Sequence, residues 1–177
     1  EDKASIVASG GNSGIIAHSG SNSIINGGSF ASPNHGGAYV ACGSSGHFEI
    51  NGGTFYNNKN EYDSELVKNI RAFGAMYIGS NKASEKWSVT IKNAKIINEC
   101  GEQGLVQKSN DGYIPATINL YNTTLSGKSY DVVTQNNSSV GTYEAYVNIY
   151  KGSVLSHNTK NDNYGKAVNK DYIIDHR

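Results

Sequence analysis

Hydrophobic positions along this chain recur in short alternating runs, not in helical stripes. Ile25 and Ile50 are each followed five residues later by a phenylalanine, Phe30 and Phe55, and the corner between them is written twice, as "INGGSF" and "INGGTF". The same template, an apolar residue, four mostly small or polar ones and another apolar residue, joins Ile91 to Ile96 ("IKNAKI"), Leu120 to Leu125 ("LYNTTL") and Ile149 to Val154 ("IYKGSV"). Phe48, Val89, Ile118 and Val147 stand two places before four of the five anchors, with Ser23 the exception. An apolar period of two predicts a strand with one buried face.

An earlier short strand accompanies each anchor, usually opened by glycine: "GII" at 14, "GAYVA" at 37, "GAMYI" at 74, "GLV" at 104 and "DVV" at 131. A sixth start, "GKAV" at 165, leads into "YII" at 172. The anchors are spaced by 25, 41, 29 and 29 residues, so the strands are constant and the connections vary. No helical pattern is long enough to cross back over a sheet, yet parallel strands need a return path. A coil that returns by turning supplies one. The expected fold is all-β, a right-handed parallel β-helix of about six coils with the last incomplete, forming one domain over 1–177. Asn-Gly-Gly suits the corner because both residue types tolerate positive φ, and the phenylalanine after it starts the next strand pointing inward.

The 41-residue interval implies a long insertion near residues 56–73. Its "EYDSELVKNI" fits a short amphipathic helix or a protruding loop, and serves either as a solvated decoration or as the wall of a groove. Neither end carries an evident capping segment, which suggests a fragment or an oligomer, and Glu1 is not an initiator methionine, which suggests a processed chain or an excised fragment.

These coils resemble the right-handed single-chain parallel β-helix superfamily, the pectate-lyase-like fold shared by polysaccharide lyases, polygalacturonases and bacteriophage tailspikes. The resemblance runs from about Gly14 to Ile174 and is carried by the two Asn-Gly-Gly corners, the glycine-opened strands and the coil-end asparagines Asn58, Asn98 and Asn158. The family's enzyme signatures are not reproduced: "NTK" at 158 and "GHF" at 46 fall short of the polygalacturonase motifs, and the pectate-lyase patterns are missing. Tailspike-like resemblance implies a cell-surface polysaccharide as partner, hydrolysis or elimination as its chemistry, a homotrimer, and an extracellular or virion-surface location. A non-catalytic stalk or adhesin module stands as the alternative, and a small polysaccharide lyase as a third reading.

Composition agrees with strands and turns: 22 asparagines, 21 glycines and 12 tyrosines against only 2 prolines. Formal net charge is zero and no Lys/Arg run marks a nucleic-acid groove. No apolar run is long enough for a membrane-spanning helix. Cys42 and Cys100 lack zinc spacing and fit two thiols or one disulfide. His18, His35, His47, His157 and His176 show no ligand spacing, so no metal or cofactor is expected.

If the anchors point inward, their neighbours point out. One outer column then reads Asn26, Asn51, Lys92, Tyr121, Tyr150, and another Ile24, Glu49, Thr90, Asn119, Asn148. Such rows fit either a self-pairing ladder or a glycan track in which rings meet sugar faces and Asn, Lys and Glu supply hydrogen bonds. A further column, Asn58, Glu99, Lys128, His157, combines proton-transfer groups, or holds an exposed Glu99–Lys128 salt bridge. Glycoside hydrolysis requires paired carboxyls. Glu99, Asp63 and Glu65 are the candidate catalytic acids, with Glu102 nearby. Glu49, Arg71, Lys92, Tyr121, Lys128, Tyr150 and His157 are the candidate substrate-binding residues.

Overall fold

The computed structural model describes residues 5–7, 15–19, 23–31, 38–42, 46–57, 74–80, 85–98, 103–109, 113–138, 144–165, 167 and 171–177. Of 5–7, 15–19, 38–42, 80 and 138 it describes the backbone alone. Every regular element among them is a strand. After β1 (Ser5–Val7), the chain makes a turn through β2 (Ile15–Ser19), β3 (Ser23–Ile25) and β4 (Ser29–Ala31). The next passes through β5 (Ala38–Cys42), β6 (Gly46–Ile50) and β7 (Gly53–Asn57), and the one after through β8 (Met76–Ser80), β9 (Trp87–Lys92) and β10 (Ala94–Asn98). Then come β11 (Gln103–Ser109), β12 (Thr117–Tyr121) and β13 (Thr124–Ser126), followed by β14 (Tyr130–Ser138), β15 (Val147–Ile149) and β16 (Val154–Leu155). β17 (Asn158–Asn161), β18 (Tyr164–Gly165) and β19 (Ile173–Asp175) close the described chain.

Strands from successive turns pair in parallel and build three sheets. In chain order within a turn, the first sheet runs β2-β5-β8-β11-β14-β17, with β18 also pairing β14. The second runs β3-β6-β9-β12-β15-β19, and the third β1-β4-β7-β10-β13-β16. The protein is thus an all-β parallel solenoid in which each turn lays one strand on each sheet. Residues alike in the repeat come into register: Phe30 on Phe55, Phe55 on Ile96, Ile50 on Ile91, and Leu120 on Ile91 and Ile149.

These registers explain the core. Ile50, Ile91, Leu120 and Ile149 form one fully buried column, and Val89, Ile118 and Val147 another beside it. Phe30 and Phe55 stack with ring centroids 5.1 Å apart. Each such side chain removed from water contributes about 1.5–3 kcal/mol. In β8, β11 and β14 of the first sheet both faces are buried: Met76, Leu105 and Val132 point into the core, while their neighbours Tyr77, Val106 and Val133 alternate outward and are still buried.

The corners between the second and third sheets bear out the expected backbone. Gly27, Gly28, Gly53 and Gly152 take positive φ, and where the glycines give way, Asn93 (φ 55°) and Asn122 (φ 47°) take the left-handed conformation instead. Asn122 Nδ2 donates to Asn93 Oδ1 at 2.7 Å, so the substitute residues also pair from turn to turn.

The structure corrects the sequence reading in three places. Val154 is not the inward partner of Ile149; it is 53% exposed, and Leu155 packs against the core in register with Leu125. The corner from Tyr150 to Ser153, closed by the Ser153 N–H on the Tyr150 carbonyl at 3.1 Å, holds one residue more than the earlier corners. The last first-sheet strand is the polar "NTKN" of β17, not "GKAV"; hydrogen-bonding asparagines and threonine replace apolar side chains there. Finally, Tyr56 and Asn57 belong to β7, not to an insertion. The rest of the expected insertion, 58–73, lies outside the described residues.

Candidate functional site

The outer face of the second sheet carries a lane of polar and aromatic side chains. Strict alternation in β9, with Val89 and Ile91 inward, turns Thr90 and Lys92 outward. Register then aligns the outward positions. Glu49 lies on Thr90, Thr90 on Asn119 and Asn119 on Asn148. Beside them Lys92 lies on Tyr121. Both outer columns expected from sequence therefore form.

At one end of the lane, Asn51 Nδ2 donates to Asn26 Oδ1 at 3.1 Å. Next, Lys92 Nζ reaches diagonally to Glu49 Oε1 at 2.8 Å. That hydrogen bond holds the Glu49 carboxyl below its ordinary range. Asn148 Nδ2 donates to Asn119 Oδ1 at 3.0 Å. The rings of Tyr121 and Tyr150 stack at 4.5 Å and 3°, and those of Tyr150 and His176 at 4.8 Å and 10°. His176 Nε2 also lies 3.1 Å from Asn148 Oδ1, tying the two columns together. Burial first, and then the neighbouring Tyr121 hydroxyl, push the Tyr150 phenol up, so it stays a neutral hydrogen-bonding group.

This geometry changes how the lane can work. The faces of Tyr150 are both covered by its neighbours, so a sugar ring cannot lie flat on it as the sequence reading supposed. The tyrosines instead offer ring edges and hydroxyls, with the Asn119 and Asn148 amides alongside. The lane is therefore a hydrogen-bonding strip spaced at the strand separation of about 4.8 Å.

His176 extends the outer column one turn beyond Tyr150, where the sequence columns end. Its signal was present: "YII" at 172 continues the same alternation, and the His176 N–H extends the ladder to the Ile149 carbonyl at 2.8 Å. One turn-end residue also ends the apolar column, since Asp175 is in register with Ile149 and pairs with Arg177 at 2.7 Å. That bidentate contact holds the Asp175 carboxyl down to about 2.

The corner between the third and first sheets brings together a second group. The expected column of Lys128 with His157 does not form: Leu125 pairs with Leu155, which sets His157 opposite Gly127. The reason is the extra residue in the preceding corner. His157 meets Asp131 instead, a residue the sequence reading passed over as part of an apolar strand. Asp131 is fully buried. It accepts the backbone N–H groups of Gly127 and His157, and its Oδ1 lies 3.4 Å from His157 Nδ1. Lys160 stands nearby, 3.5 Å from Asp162 and 5.4 Å from the Tyr130 ring centroid.

Glu99, Asp63, Glu65, Arg71, Glu102, Asn58 and Cys100 lie outside the described residues, as does the side chain of Cys42. Of the candidate site residues, Glu49, Lys92, Tyr121 and Tyr150 share the second-sheet lane, whereas Lys128 and His157 belong to the other corner. No group of three or more His, Cys, Asp or Glu with metal-holding geometry occurs among the described residues. No protein-family model, curated protein or solved structure matches the chain. The likeness to other parallel β-helices accordingly rests on architecture, and function has to be argued from the side chains.

Proposed function

We propose that this protein recognises an extended cell-surface polysaccharide along the outer face of its second sheet. The observation that carries the reading is the lane itself: the Lys92–Glu49 pair leads into the Asn119–Asn148 amides and the Tyr121–Tyr150–His176 stack, which run side by side over the next turns. A polysaccharide presents hydroxyls at regular intervals, and a solenoid presents amides and phenols at regular intervals, each fixed by a rigid sheet. Preorganised donors and acceptors lose little freedom on binding. The resemblance extends the proposal to a tailspike-like or secreted β-helix, outside the cell or on a virion, assembled as a homotrimer, with hydrolysis or elimination drawing on Glu99, Asp63 and Glu65. Exposed Ile24, which starts the column that continues through Glu49, Thr90, Asn119 and Asn148, is one apolar side chain such an assembly would cover.

The test is a glycan array of capsular, O-antigen and plant polysaccharides, followed by calorimetry on any hit with the parent chain and Tyr150→Ala. Saturable binding weakened by the substitution is expected. Silence on every glycan rejects the proposal.

One observation favours a second reading, a non-catalytic stalk or adhesin module. Most lane side chains are already one another's partners, ring on ring and amide on amide, and such ladders stiffen a solenoid without any ligand. Under that reading Tyr150→Ala lowers stability and changes no binding.

A further inference from the structure

We propose that the Asn26–Gly27 corner is a self-modification site: the Asn26 side chain loses its amide as ammonia and becomes aspartyl or isoaspartyl, while the identical Asn51–Gly52 pair one turn on is protected. The inference is independent of the polysaccharide reading.

The chemistry belongs to the dipeptide. Glycine has no Cβ, so its backbone nitrogen approaches the preceding side chain unobstructed and the peptide plane between the two rotates over a wide range. Asn-Gly occurs twice in this chain, within "INGGSF" and "INGGTF", and local sequence makes the two pairs equally labile. In a folded protein the reaction proceeds where that peptide is able to leave its place in the stack. Stacking is what separates the two pairs.

Asn51–Gly52 is enclosed. Its strand, β6, has β3 on one side and β9 on the other. Gly52 is buried, and a Cβ on it would touch main-chain carbonyls of both adjoining turns, Asn26 at 3.6 Å and Asn93 at 3.8 Å. The backbone on either side is tied to the preceding turn, by the Asn51 N–H on the Ile25 carbonyl at 2.8 Å and the Thr54 N–H on the Gly28 carbonyl at 2.9 Å. The side chain is tied too, because Asn51 Nδ2 donates to Asn26 Oδ1 at 3.1 Å. Bringing the Gly52 nitrogen onto Asn51 Cγ breaks that contact and pushes the glycine against two layers of main chain.

Asn26–Gly27 is open. Among the described residues β3 stands at the end of the second sheet, with a neighbour on one side. Asn26 is exposed, and a Cβ on Gly27 would meet nothing within 4 Å. Gly27 already sits at a φ of 151°, a region that glycine samples at no steric cost. The hydrogen bond from Asn51 does not shield the reacting carbon. It ends on Asn26 Oδ1, the oxygen that gathers negative charge when a nitrogen adds to Cγ, and a donor placed there favours the addition. One contact thus restrains the donor amide and activates the acceptor.

The atoms balance with water as the only co-reactant. The Gly27 nitrogen gives up its proton to solvent and bonds to Asn26 Cγ. The bond from Cγ to Nδ2 breaks, and ammonia leaves with the electron pair after taking a proton from water. Water then opens either C–N bond of the five-membered succinimide. One opening gives an aspartyl residue; the other gives an isoaspartyl residue, whose backbone runs through Cγ and is one carbon longer. Either product puts a carboxylate at the head of the outer column that continues through Asn51 and Lys92. The longer one also stretches a corner whose Gly28 carbonyl holds Thr54 of the next turn.

The experiment incubates the folded full chain at mildly alkaline pH and samples it over weeks. Digestion with a protease that cuts after Glu49 separates the two pairs, and mass spectrometry reads the exchange of amide for acid in each, with electron-transfer fragmentation to identify isoaspartate. Asn26 is expected to convert about tenfold faster than Asn51 or more, the difference in local opening being what protects the second pair. The same chain unfolded in urea should convert both at equal rates. Equal rates in the folded chain, a faster Asn51, or an Asn26 that stays intact while the unfolded control converts each overturns the inference. A difference that persists in urea overturns it as well, since stacking would then not be its cause.

Discussion

Tyr121 and Tyr150, 29 residues apart in sequence, lie with their rings 4.5 Å apart and 3° from parallel, and His176 extends the stack on the far side of Tyr150. The separation is close to the spacing of neighbouring strands, so the stacking of turns brings the two rings into contact range. Tyr150 is the middle ring and has two ring neighbours. A stacked pair is worth about 0.5–1.5 kcal/mol beyond simple burial. Tyr150→Ala should therefore cost more stability than Tyr121→Ala in urea denaturation. Equal losses would mean that the stack contributes nothing.

Phe55 tests the core. It is fully buried and stacked on Phe30, and it is in register with Ile96 on its other side. Phe55→Ala should lower unfolding free energy by about 3–5 kcal/mol, through lost burial and the cavity left behind. Phe55→Ser should cost still more, because the cavity would then hold a hydroxyl. The readout is the denaturation midpoint at unchanged slope, and a loss below about 1 kcal/mol would contradict the packing.

Two glycines should respond very differently to the same substitution. A Cβ on Gly127 would overlap the backbone of Tyr130 and Gly104, whereas one on Gly52 would meet the Asn26 carbonyl at an ordinary 3.6 Å. Gly127→Ala is expected to destabilise by about 3 kcal/mol or more, since the obstructing atoms are main chain and cannot rotate away. Gly52→Ala should stay within about 0.5 kcal/mol of the parent. Thermal melts of the two variants side by side provide the comparison.

The Asp175–Arg177 pair predicts a pH dependence. Arg177 holds the folded-state carboxyl to about 2, below the value of about 3.9 for an unfolded chain. A depressed carboxyl contributes stability that is present above the unfolded value and is lost as pH falls through the folded one. The contribution should thus be complete at neutral pH and disappear between about 4 and 2. Both side chains are partly exposed, so solvent and salt keep the effect small. A carboxyl carbon-13 titration should find Asp175 low in the parent and near its ordinary value in Arg177→Gln. An unshifted Asp175 in the parent would exclude the pair.

Much of the fold was legible because each turn repeats the same local code. Apolar alternation marked the inward faces of the second and third sheets, and Asn-Gly-Gly marked their corner. The first sheet's last strand was not legible, because β17 holds its place through Thr134, Asn161 and Asp171 hydrogen bonds, not through apolar burial. The outer lane was legible as columns, since alternation alone puts Lys92, Tyr121 and Tyr150 outward. Its internal pairing was not. The Glu49–Lys92 contact runs diagonally between turns, and whether a tyrosine turns its face to solvent or to its neighbour depends on the spacing of the turns.

The sequence by itself determined that this chain is a parallel coil with aliphatic and aromatic columns inside, because period-two burial and left-handed corners are local properties written afresh in each repeat. Tertiary structure alone decided which side chains meet across turns. Register is set by the length of every intervening corner, and one extra residue beside Gly152 moves His157 away from Lys128 and onto Gly127 and Asp131. A buried carboxylate and a half-exposed imidazole, 26 residues apart, become neighbours only once that stacking is in place.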